Sequence, residues 1–264
     1  SVCGTCNDLA VSGAAPRYLS LGFVLEEGFA IASVRKILES IASSAASVGV
    51  SVVTGDTKVV PVGKGGGIYI NSTGVGSKEF LGVLGPQRVE AGDRVILSGP
   101  VGAHGIAILA ARENLPVGTS LKSDCTHLYP LCLSLFDLGD NLKFMRDATR
   151  GGIAAVLNEI ADGLDVGIML READIPVDED VAATADILGL NPLEVANEGV
   201  FVAVVSSDAA EDAMRLLARH PAGTRAAVVG SVGKDHAGKV YLETRIGGQR
   251  MVDLPRGLLL PRIC

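Results

Sequence analysis

The chain has 264 residues, a formal net charge of −7 and five cysteines. The acidic balance disfavours a nucleic-acid partner, which needs clustered lysines and arginines, and the lack of an apolar run of about 18 residues predicts that no segment spans a membrane. An odd number of cysteines without an N-terminal signal segment indicates a reducing compartment, so we predict a cytoplasmic protein.

The predicted elements begin with a helix that is followed by a strand. Apolar residues recur at helical spacing over 32–48, and a β-branched run over 50–54 predicts a strand that ends at Gly55. A second strand is predicted over 68–70, after a glycine-rich turn at 63–67 that lacks the P-loop pattern GxxxxGK[ST]. The polar, glycine-spaced residues that follow are assigned to no element.

The second half of the chain alternates strands with helices. Turn residues and charges place a domain junction at about residues 85–93, and the alternation beyond it predicts an α/β or α+β fold. The predicted strands cover 94–97, 166–170, 200–205, 226–230 and 239–243. The predicted helices cover 103–113, 151–162, 179–188 and 208–219, the last capped by Asp208.

An extended tail follows Asp253 and ends in LPRIC, so the last residue is Cys264. The prolines of this tail oppose helix formation, and no periodic apolar face would hold it against the domain. Taken alone, a terminal cysteine is most often an incidental, inert chain end.

The chain opens with a CxxC pair, Cys3 and Cys6. The pair fits either a redox couple or half of a zinc site, but Cys125 and Cys132 do not complete a zinc spacing. We therefore favour a packing role, in which these cysteines act as small buried hydrophobes.

Two carboxylates, Asp8 and Asp56, lie in short polar motifs beside apolar segments. Asp8 follows Asn7, where a helix N-cap is the plain alternative to a functional role. Asp56, Thr57 and Lys58 follow the predicted strand over 50–54, so Asp56 could hold Mg²⁺ and Lys58 could meet a phosphate. The alternative for this motif is a solvated hairpin turn.

The motif DATRGG opens an apolar helix and predicts a phosphate site. Glycines such as Gly151 and Gly152 let backbone N–H groups approach an anion, and Arg150 can bind a phosphate through two hydrogen bonds. Glu198, in the motif ANEG, precedes a strand, and its alternative is a surface turn.

Together the motifs GTCNDLAVSGAAPRYLS, EEG, TGDTKVV, DATRGG, ANEG and LPRIC resemble the HypE family of hydrogenase-maturation proteins over the whole chain. That family belongs to a superfamily with aminoimidazole ribonucleotide synthetase, selenophosphate synthetase and thiamine monophosphate kinase. The resemblance implies a two-domain α/β fold: an N-terminal ATP-binding and dimerising sheet domain (1–88), a C-terminal domain (89–253) and a mobile tail (254–264).

The resemblance also implies a reaction. A carbamoyltransferase, HypF, would load a carbamoyl group onto the terminal thiol, and the chain would use ATP to dehydrate the thiocarbamate to a thiocyanate. The cyanide would then pass to iron on a HypC–HypD complex, as a ligand of the [NiFe] hydrogenase centre. ATP would bind between the domains of a homodimer, at the dimer interface.

The resemblance assigns a role to each motif residue. It implies that Lys58 binds the transferring phosphate, that Glu198 assists proton removal, and that Cys264 is the carrier nucleophile. The implied ligands of Mg²⁺ are Asp8, Asp56 and Asp147. The implied contacts to ATP or phosphate are Asp8, Asp56, Thr57, Asp147, Arg150, Gly151 and Gly152.

Two features depart from the family pattern. The chain starts at Ser1, and we expect a glycine-rich and acidic segment before it that completes the ATP site. Cys6 stands where the family usually has a small residue, which we interpret as packing. The competing hypotheses are a small-molecule kinase of the same superfamily, suggested by TGDTK, and a non-enzymatic module that Cys264 tethers to a partner.

Overall fold

The computed structural model describes residues 1–115 and 121–255, so Cys264 and the LPRIC sequence lie outside the described residues. The helices are α1 (Val2–Val11), α2 (Ile31–Val48), α3 (Ala103–Arg112), α4 (Tyr129–Leu135), α5 (Gly152–Ala161), α6 (Glu179–Leu188) and α7 (Ala210–Ala218). The strands are β1 (Ala14–Glu26), β2 (Ser51–Val60), β3 (Ile68–Lys78), β4 (Arg94–Leu97), β5 (Leu142–Asp147), β6 (Gly167–Arg171), β7 (Phe201–Val205), β8 (Ala227–Gly233), β9 (Val240–Glu243) and β10 (Gln249–Met251).

The strands form two sheets. A three-stranded sheet has the order β2-β1-β3, with β2 parallel and β3 antiparallel to the central β1. A seven-stranded sheet has the order β10-β9-β6-β8-β4-β7-β5 and is antiparallel except where β6 pairs with β9. This mixed architecture confirms the predicted α/β class. The predicted division at residue 88 stays a prediction.

The three-stranded sheet is covered on one face only. Leu19 and Leu21 of β1 are buried with Ile41 and Ala45 of α2, because side chains two apart on a strand share a face. The opposite face leaves Tyr18, Tyr69 and Val75 more than half exposed. An apolar sheet face of this kind is typical of a surface that another chain covers.

The seven-stranded sheet is covered on both faces. Val95 and Leu97 of β4 pack against α5, whereas Ile96 between them packs against α4 and α7. Every residue of the strand β7 is buried, which explains its uninterrupted apolar sequence FVAVV. The motif DATRGG begins at the end of β5 of this sheet, and the motif ANEG precedes β7.

The helix α1 joins the two sheets. Its first half places Val2 and Cys6 in the core under the three-stranded sheet. Its second half places Ala10 and Val11 in the core of the seven-stranded sheet. The buried role predicted for Cys6 is therefore confirmed. Asp8 lies inside this helix and is not an N-cap, so that alternative is wrong.

Most elements of the second half match their predictions within one or two residues, but β8 ends three residues beyond its prediction. The strand β4 and the helix α6 have the predicted bounds. The capping role of Asp208 is wrong, because a short 3₁₀ turn over Ser207–Ala209 precedes α7 and no side chain caps that helix. The sequence analysis assigned no element to α1, β1, α4, β5 or β10.

The predicted ends of β2 and β3 are also wrong. The strand β2 continues through Gly55 to Val60, because its backbone pairs with β1 along that whole length. Gly55 marks a close approach and not a strand end, since a Cβ there would lie 2.6 Å from the Leu21 carbonyl oxygen. The strand β3 continues to Lys78 in the same way. Within the described residues, no helix has both the length and the apolar character needed to cross a lipid bilayer.

Candidate active site

Three segments that are distant in sequence meet α1. They are the segment 121–128, the end of β5 with the turn into α5, and the segment 196–199. Two buried asparagines, Asn7 and Asn197, hold these segments together. Each stands directly before a carboxylate that was singled out from the sequence, Asp8 and Glu198 respectively. The site is therefore built from hydrogen bonds that sequence reasoning did not assign.

Asn7 fastens α1 to two of the other segments. Its Nδ2 donates to the carbonyl oxygens of Thr126 and Glu198, each at 3.0 Å. Its Oδ1 accepts the N–H of Leu128 at 2.9 Å. Because the side chain is only 2% exposed, these bonds satisfy a polar group that would otherwise be buried at a cost.

Asn197 has the same role in the chain segment just before Glu198. Its Oδ1 accepts the N–H of Gly102 at 2.7 Å, and its Nδ2 donates to the carbonyl oxygens of Ala148 and Val195. The residue is fully buried. Asn197 thus ties the segment 196–199 to the turn that follows β5 and fixes the position of Glu198.

Glu198 is a partly buried carboxyl group surrounded by other acids. Burial raises its pKa to about 7, and the charges of Asp124 and Asp147 act in the same direction. The position of an added Cβ on Gly4 would lie 3.6 Å from Glu198 Oε2, so α1 presents bare backbone to this carboxylate. A carboxyl group that titrates near neutral pH is suited to general acid–base catalysis.

Asp124 supports the backbone of Glu198 through a hydrogen bond. Its Oδ1 accepts the backbone N–H of Glu198 at 3.1 Å, while its buried Oδ2 has no hydrogen-bond partner. Gly199 is required at this point, because a Cβ there would lie 1.9 Å from the Asp124 carbonyl oxygen. Burial raises the pKa of Asp124. No sequence pattern indicated Asp124, which stands in a loop without a periodic apolar face.

Asp147 and Asp8 form a neighbouring acidic pair. Asp147 ends β5 and is 8% exposed; burial first, and then the charge of Asp8, raises its pKa to about 6. Desolvation also raises the pKa of Asp8, against the opposing charges of Arg146 and Arg150. The structure thus brings together the two aspartates of the motifs ND and DATRGG, as a pair of hard oxygen donors.

The turn after Asp147 leads into α5 as predicted. Gly151 is the N-cap of α5, and Arg150 beside it is exposed. The N–H of Gly152 already donates to the Thr149 carbonyl oxygen at 3.1 Å. Gly152 is needed for packing, since a Cβ there would lie 2.5 Å from the Leu193 carbonyl oxygen. Arg150 and the Gly151 end of the helix are left to meet an anion.

Asp56, Thr57 and Lys58 lie elsewhere in the chain. They stand inside the edge strand β2 and not at its end, so the predicted strand-end placement and the hairpin-turn alternative are both wrong. Asp56 pairs in register with Gly22, and Lys58 with Val24, on the sheet face opposite α1 and α2. Within the described residues, no three potential ligands among His, Cys, Asp and Glu gather around one metal position, so Asp56 does not join Asp8 and Asp147 in a single chain.

Two family models match the chain. The N-terminal domain of AIR synthase related proteins matches residues 1–77, and the C-terminal domain of the same proteins matches residues 90–243. The carbamoyl dehydratase HypE of Azotobacter vinelandii is 45% identical over 264 residues, which is the whole chain and 77% of that protein. HypE of Escherichia coli K12 is 44% identical over the same length and 78% of its own.

Solved structures agree with these relatives. A HypE crystal structure in complex with ATP matches with a TM-score of 0.94 at 37% identity, over 100% of this chain and 81% of that one. A HypE–HypF complex matches with a TM-score of 0.92 at 40% identity, over 96% of this chain and 83% of that one. A thiamine monophosphate kinase from Aquifex aeolicus shares the fold alone, at 16% identity. The chain belongs to the HypE family of carbamoyl dehydratases.

Proposed function

We propose that this chain, as a member of the HypE family, is an ATP-dependent dehydratase that converts an S-carbamoyl group on Cys264 to a thiocyanate. The cyanide would become a ligand of the iron in a [NiFe] hydrogenase. Family membership supports a carbamoyl dehydratase in hydrogenase maturation, and the ATP-bound relative supports the use of ATP. Two elements of the proposal go beyond this support: Cys264 as the carrier thiol, and thiocyanate as the product.

The observation that carries the proposal is the environment of Glu198. Dehydration must remove protons from the carbamoyl nitrogen, and this needs a base whose pKa lies near the working pH. Glu198 has a pKa of about 7, Asn7 and Asp124 bond its backbone, and the side chain of Asn197 anchors the residue before it. It is therefore the best-positioned base among the predicted residues.

The chemistry explains why ATP is needed. The carbamoyl oxygen is a poor leaving group until it carries a phosphoryl group. The oxygen attacks the γ-phosphorus of ATP and ADP departs. The nitrogen then gives up its two protons as the C–O bond breaks, one to Glu198 and one to the departing phosphate, which leaves S–C≡N and inorganic phosphate. In this proposal Glu198 accepts a proton, and Arg150 with the Gly151 end of α5 neutralises charge on the departing phosphate.

The residues present fit a magnesium ion bound together with a nucleotide. Mg²⁺ in such sites is usually held by one or two carboxylates plus phosphate oxygens and water. Asp8 and Asp147 are two neighbouring carboxylates whose pKa values are raised, so a divalent cation would relieve their repulsion. The ion would supply charge neutralisation for phosphoryl transfer.

Asp56, Thr57 and Lys58 enter this proposal through a homodimer. In one chain they lie on the strand β2, away from Glu198, and the open face beside them exposes Tyr18, Tyr69 and other apolar side chains. A second copy that covers this face would bring its own Asp56 and Lys58 near the nucleotide site of the first. Lys58 would then contact the transferred phosphate across the dimer interface.

The proposed reaction requires two partners, a carbamoyl donor and a cyanide acceptor. A relative has been crystallised in complex with HypF, which supports HypF as the carbamoyl donor for this chain. Transfer of cyanide to a HypC–HypD complex and a cytoplasmic location remain predictions from the sequence.

Mass spectrometry of the C-terminal peptide tests the proposal. The full chain is carbamoylated by HypF and then incubated with ATP and Mg²⁺, with Cys264→Ser as the matched control. We expect the carbamoylated peptide to become lighter by one water only when ATP is present. A carbamoyl peptide that persists while ATP is consumed on a small phosphorylated alcohol would instead favour the small-molecule kinase.

A further inference from the structure

A cluster of three polar side chains beside the candidate active site has no role in the proposed mechanism. Cys3 Sγ on α1 lies 3.6 Å from Ser44 Oγ on α2 and 3.9 Å from His127 Nε2. Ser44 Oγ and His127 Nε2 are 3.3 Å apart, so each of the three atoms lies within hydrogen-bonding reach of the other two. Three separate segments thus bring together a thiol, a hydroxyl group and an imidazole.

The imidazole of His127 is held in place from both sides. Asn7, one turn after Cys3 on the same face of α1, donates to the Thr126 carbonyl oxygen at 3.0 Å and accepts the N–H of Leu128 at 2.9 Å. The two residues that flank His127 are therefore fixed to the helix that carries Cys3. The Nδ1 atom of this imidazole is buried and has no hydrogen-bond partner among the described residues, so the ring makes its polar contacts there through Nε2, on the side of Cys3.

Cys3 is the cysteine of the CxxC pair that a reagent can reach. It is partly exposed, whereas Cys6, one turn further along the same helix, is buried. Burial raises the pKa of Cys6 to about 11. A partly accessible thiol beside an imidazole that a third group orients is the usual arrangement of an activated cysteine nucleophile. The two cysteines of the pair therefore differ in their chemistry.

We propose that Cys3 is a site of covalent modification by small α,β-unsaturated carbonyl compounds, with His127 as its general base. The imidazole takes the thiol proton, and the sulfur forms a bond to the β-carbon as the C=C π bond breaks. The imidazolium then returns the proton to the α-carbon, so a thioether forms without a leaving group or an oxidant. Meanwhile the hydroxyl group of Ser44 can donate a hydrogen bond to the thiolate.

An adduct on Cys3 would lie next to the proposed base. Gly4 follows Cys3, and a Cβ added to Gly4 would lie 3.6 Å from Glu198 Oε2. His127 lies three residues after Asp124, whose carboxylate accepts the backbone N–H of Glu198 at 3.1 Å. Added atoms between these segments would displace Glu198, so we expect the modified protein to lose dehydratase activity. This consequence rests on the proposed function.

Labelling of the full chain with N-ethylmaleimide, a small α,β-unsaturated carbonyl compound, tests the site without ATP or a carbamoyl substrate. The reagent is added at neutral pH, samples are quenched with dithiothreitol over time, and peptide mapping gives the rate of adduct formation at each cysteine. We expect Cys3 to react faster than Cys125, although Cys125 is the more exposed of the two. Cys6 should stay unmodified while the protein is folded.

His127→Ala should lower the rate at Cys3 by about tenfold or more at neutral pH, because the thiol then ionises without an adjacent base. This deficit should shrink at about pH 9.5, where an ordinary thiol is ionised. His220→Ala is the matched control, because that imidazole caps its own turn and should leave the rate at Cys3 unchanged. If modification of Cys6 shows that His127→Ala has unfolded, His127→Gln takes its place, since glutamine is polar but not basic.

Two results would overturn the site. One is wild-type protein in which Cys125 reacts before Cys3, since exposure alone would then set the order. The other is an unchanged rate at Cys3 in a folded variant that lacks the imidazole of His127. Because neither result involves ATP or a carbamoyl group, failure of this site is distinguishable from failure of the proposed function.

Discussion

The short polar motif around Glu198 and the one around Lys58 have opposite surroundings. Glu198 sits among buried asparagines and acids, with a pKa raised to about 7. Asp56 and Lys58 stand on an exposed edge strand, where the Asp56 carboxylate accepts the backbone N–H of Thr57. One motif is completed by its own chain. In the proposed homodimer, a second copy would complete the other motif by covering the open sheet face.

The largest expected effect comes from Glu198→Gln. Loss of the base should slow ATP-dependent dehydration by about 10²- to 10⁴-fold, while loading of the carbamoyl group by HypF continues. Mass spectrometry should therefore find carbamoylated protein accumulating. The control is Glu194→Gln, in an exposed side chain of the same region, which should dehydrate at the wild-type rate. Wild-type rates in Glu198→Gln would remove this residue from the mechanism.

Mixing two inactive variants tests whether the two regions meet across a dimer. If Lys58 of one subunit serves the Glu198 site of the other, each mixed dimer of Lys58→Ala and Glu198→Gln has one intact site. After subunit exchange at equal concentrations, activity should recover to about a quarter of the wild-type value. Each variant alone stays inactive. A mixture that recovers nothing, although exchange is verified by mass, would contradict the shared site.

Asn197→Ala should destabilise the neighbourhood of Glu198 without removing a group that takes part in the reaction. It leaves the Gly102 N–H without its partner and removes one hydrogen bond from each of the Ala148 and Val195 carbonyl oxygens, so the free energy of unfolding should fall by about 2–4 kcal/mol. Asn191→Ala is the control, because that side chain bonds only its own turn and should cost about 1 kcal/mol or less. Urea titration gives both values, and equal losses would mean that Asn197 is not a clamp.

The smallest effect is a pH dependence of stability. The native state binds the Glu198 proton more tightly than the unfolded state, because the pKa rises from 4.5 to about 7 on folding. This contribution is complete below about pH 4.5 and is lost as the pH rises through about 7. Relative to Glu198→Gln, wild-type protein should therefore lose stability between these values. A stability difference that does not change with pH would show that Glu198 ionises normally.

The class of the fold and most elements of its second half could be predicted from the sequence. Local periodicity was enough there, since β4 and α6 have the bounds that their apolar patterns predict. The sequence also identified the family, because motifs such as DATRGG and ANEG are specific. It further singled out Asp8, Asp147 and Glu198, which the fold brings into one neighbourhood.

Which motif residues meet could not be predicted from the sequence, because it depends on how distant segments pack. Gly55 reads as a strand end, but pairing with β1 carries β2 past it, and such pairing depends on residues more than thirty positions away. Asp124 carries no local signal, and the motif ANEG drew attention to Glu198 and not to Asn197, because the roles of Asp124 and Asn197 lie in hydrogen bonds to distant backbone groups. Cys3 and His127 are likewise 124 positions apart in sequence, although Cys3 Sγ lies 3.9 Å from His127 Nε2. Long-range contacts of this kind leave no period in the sequence, which is why the support around Glu198 had to be seen in three dimensions.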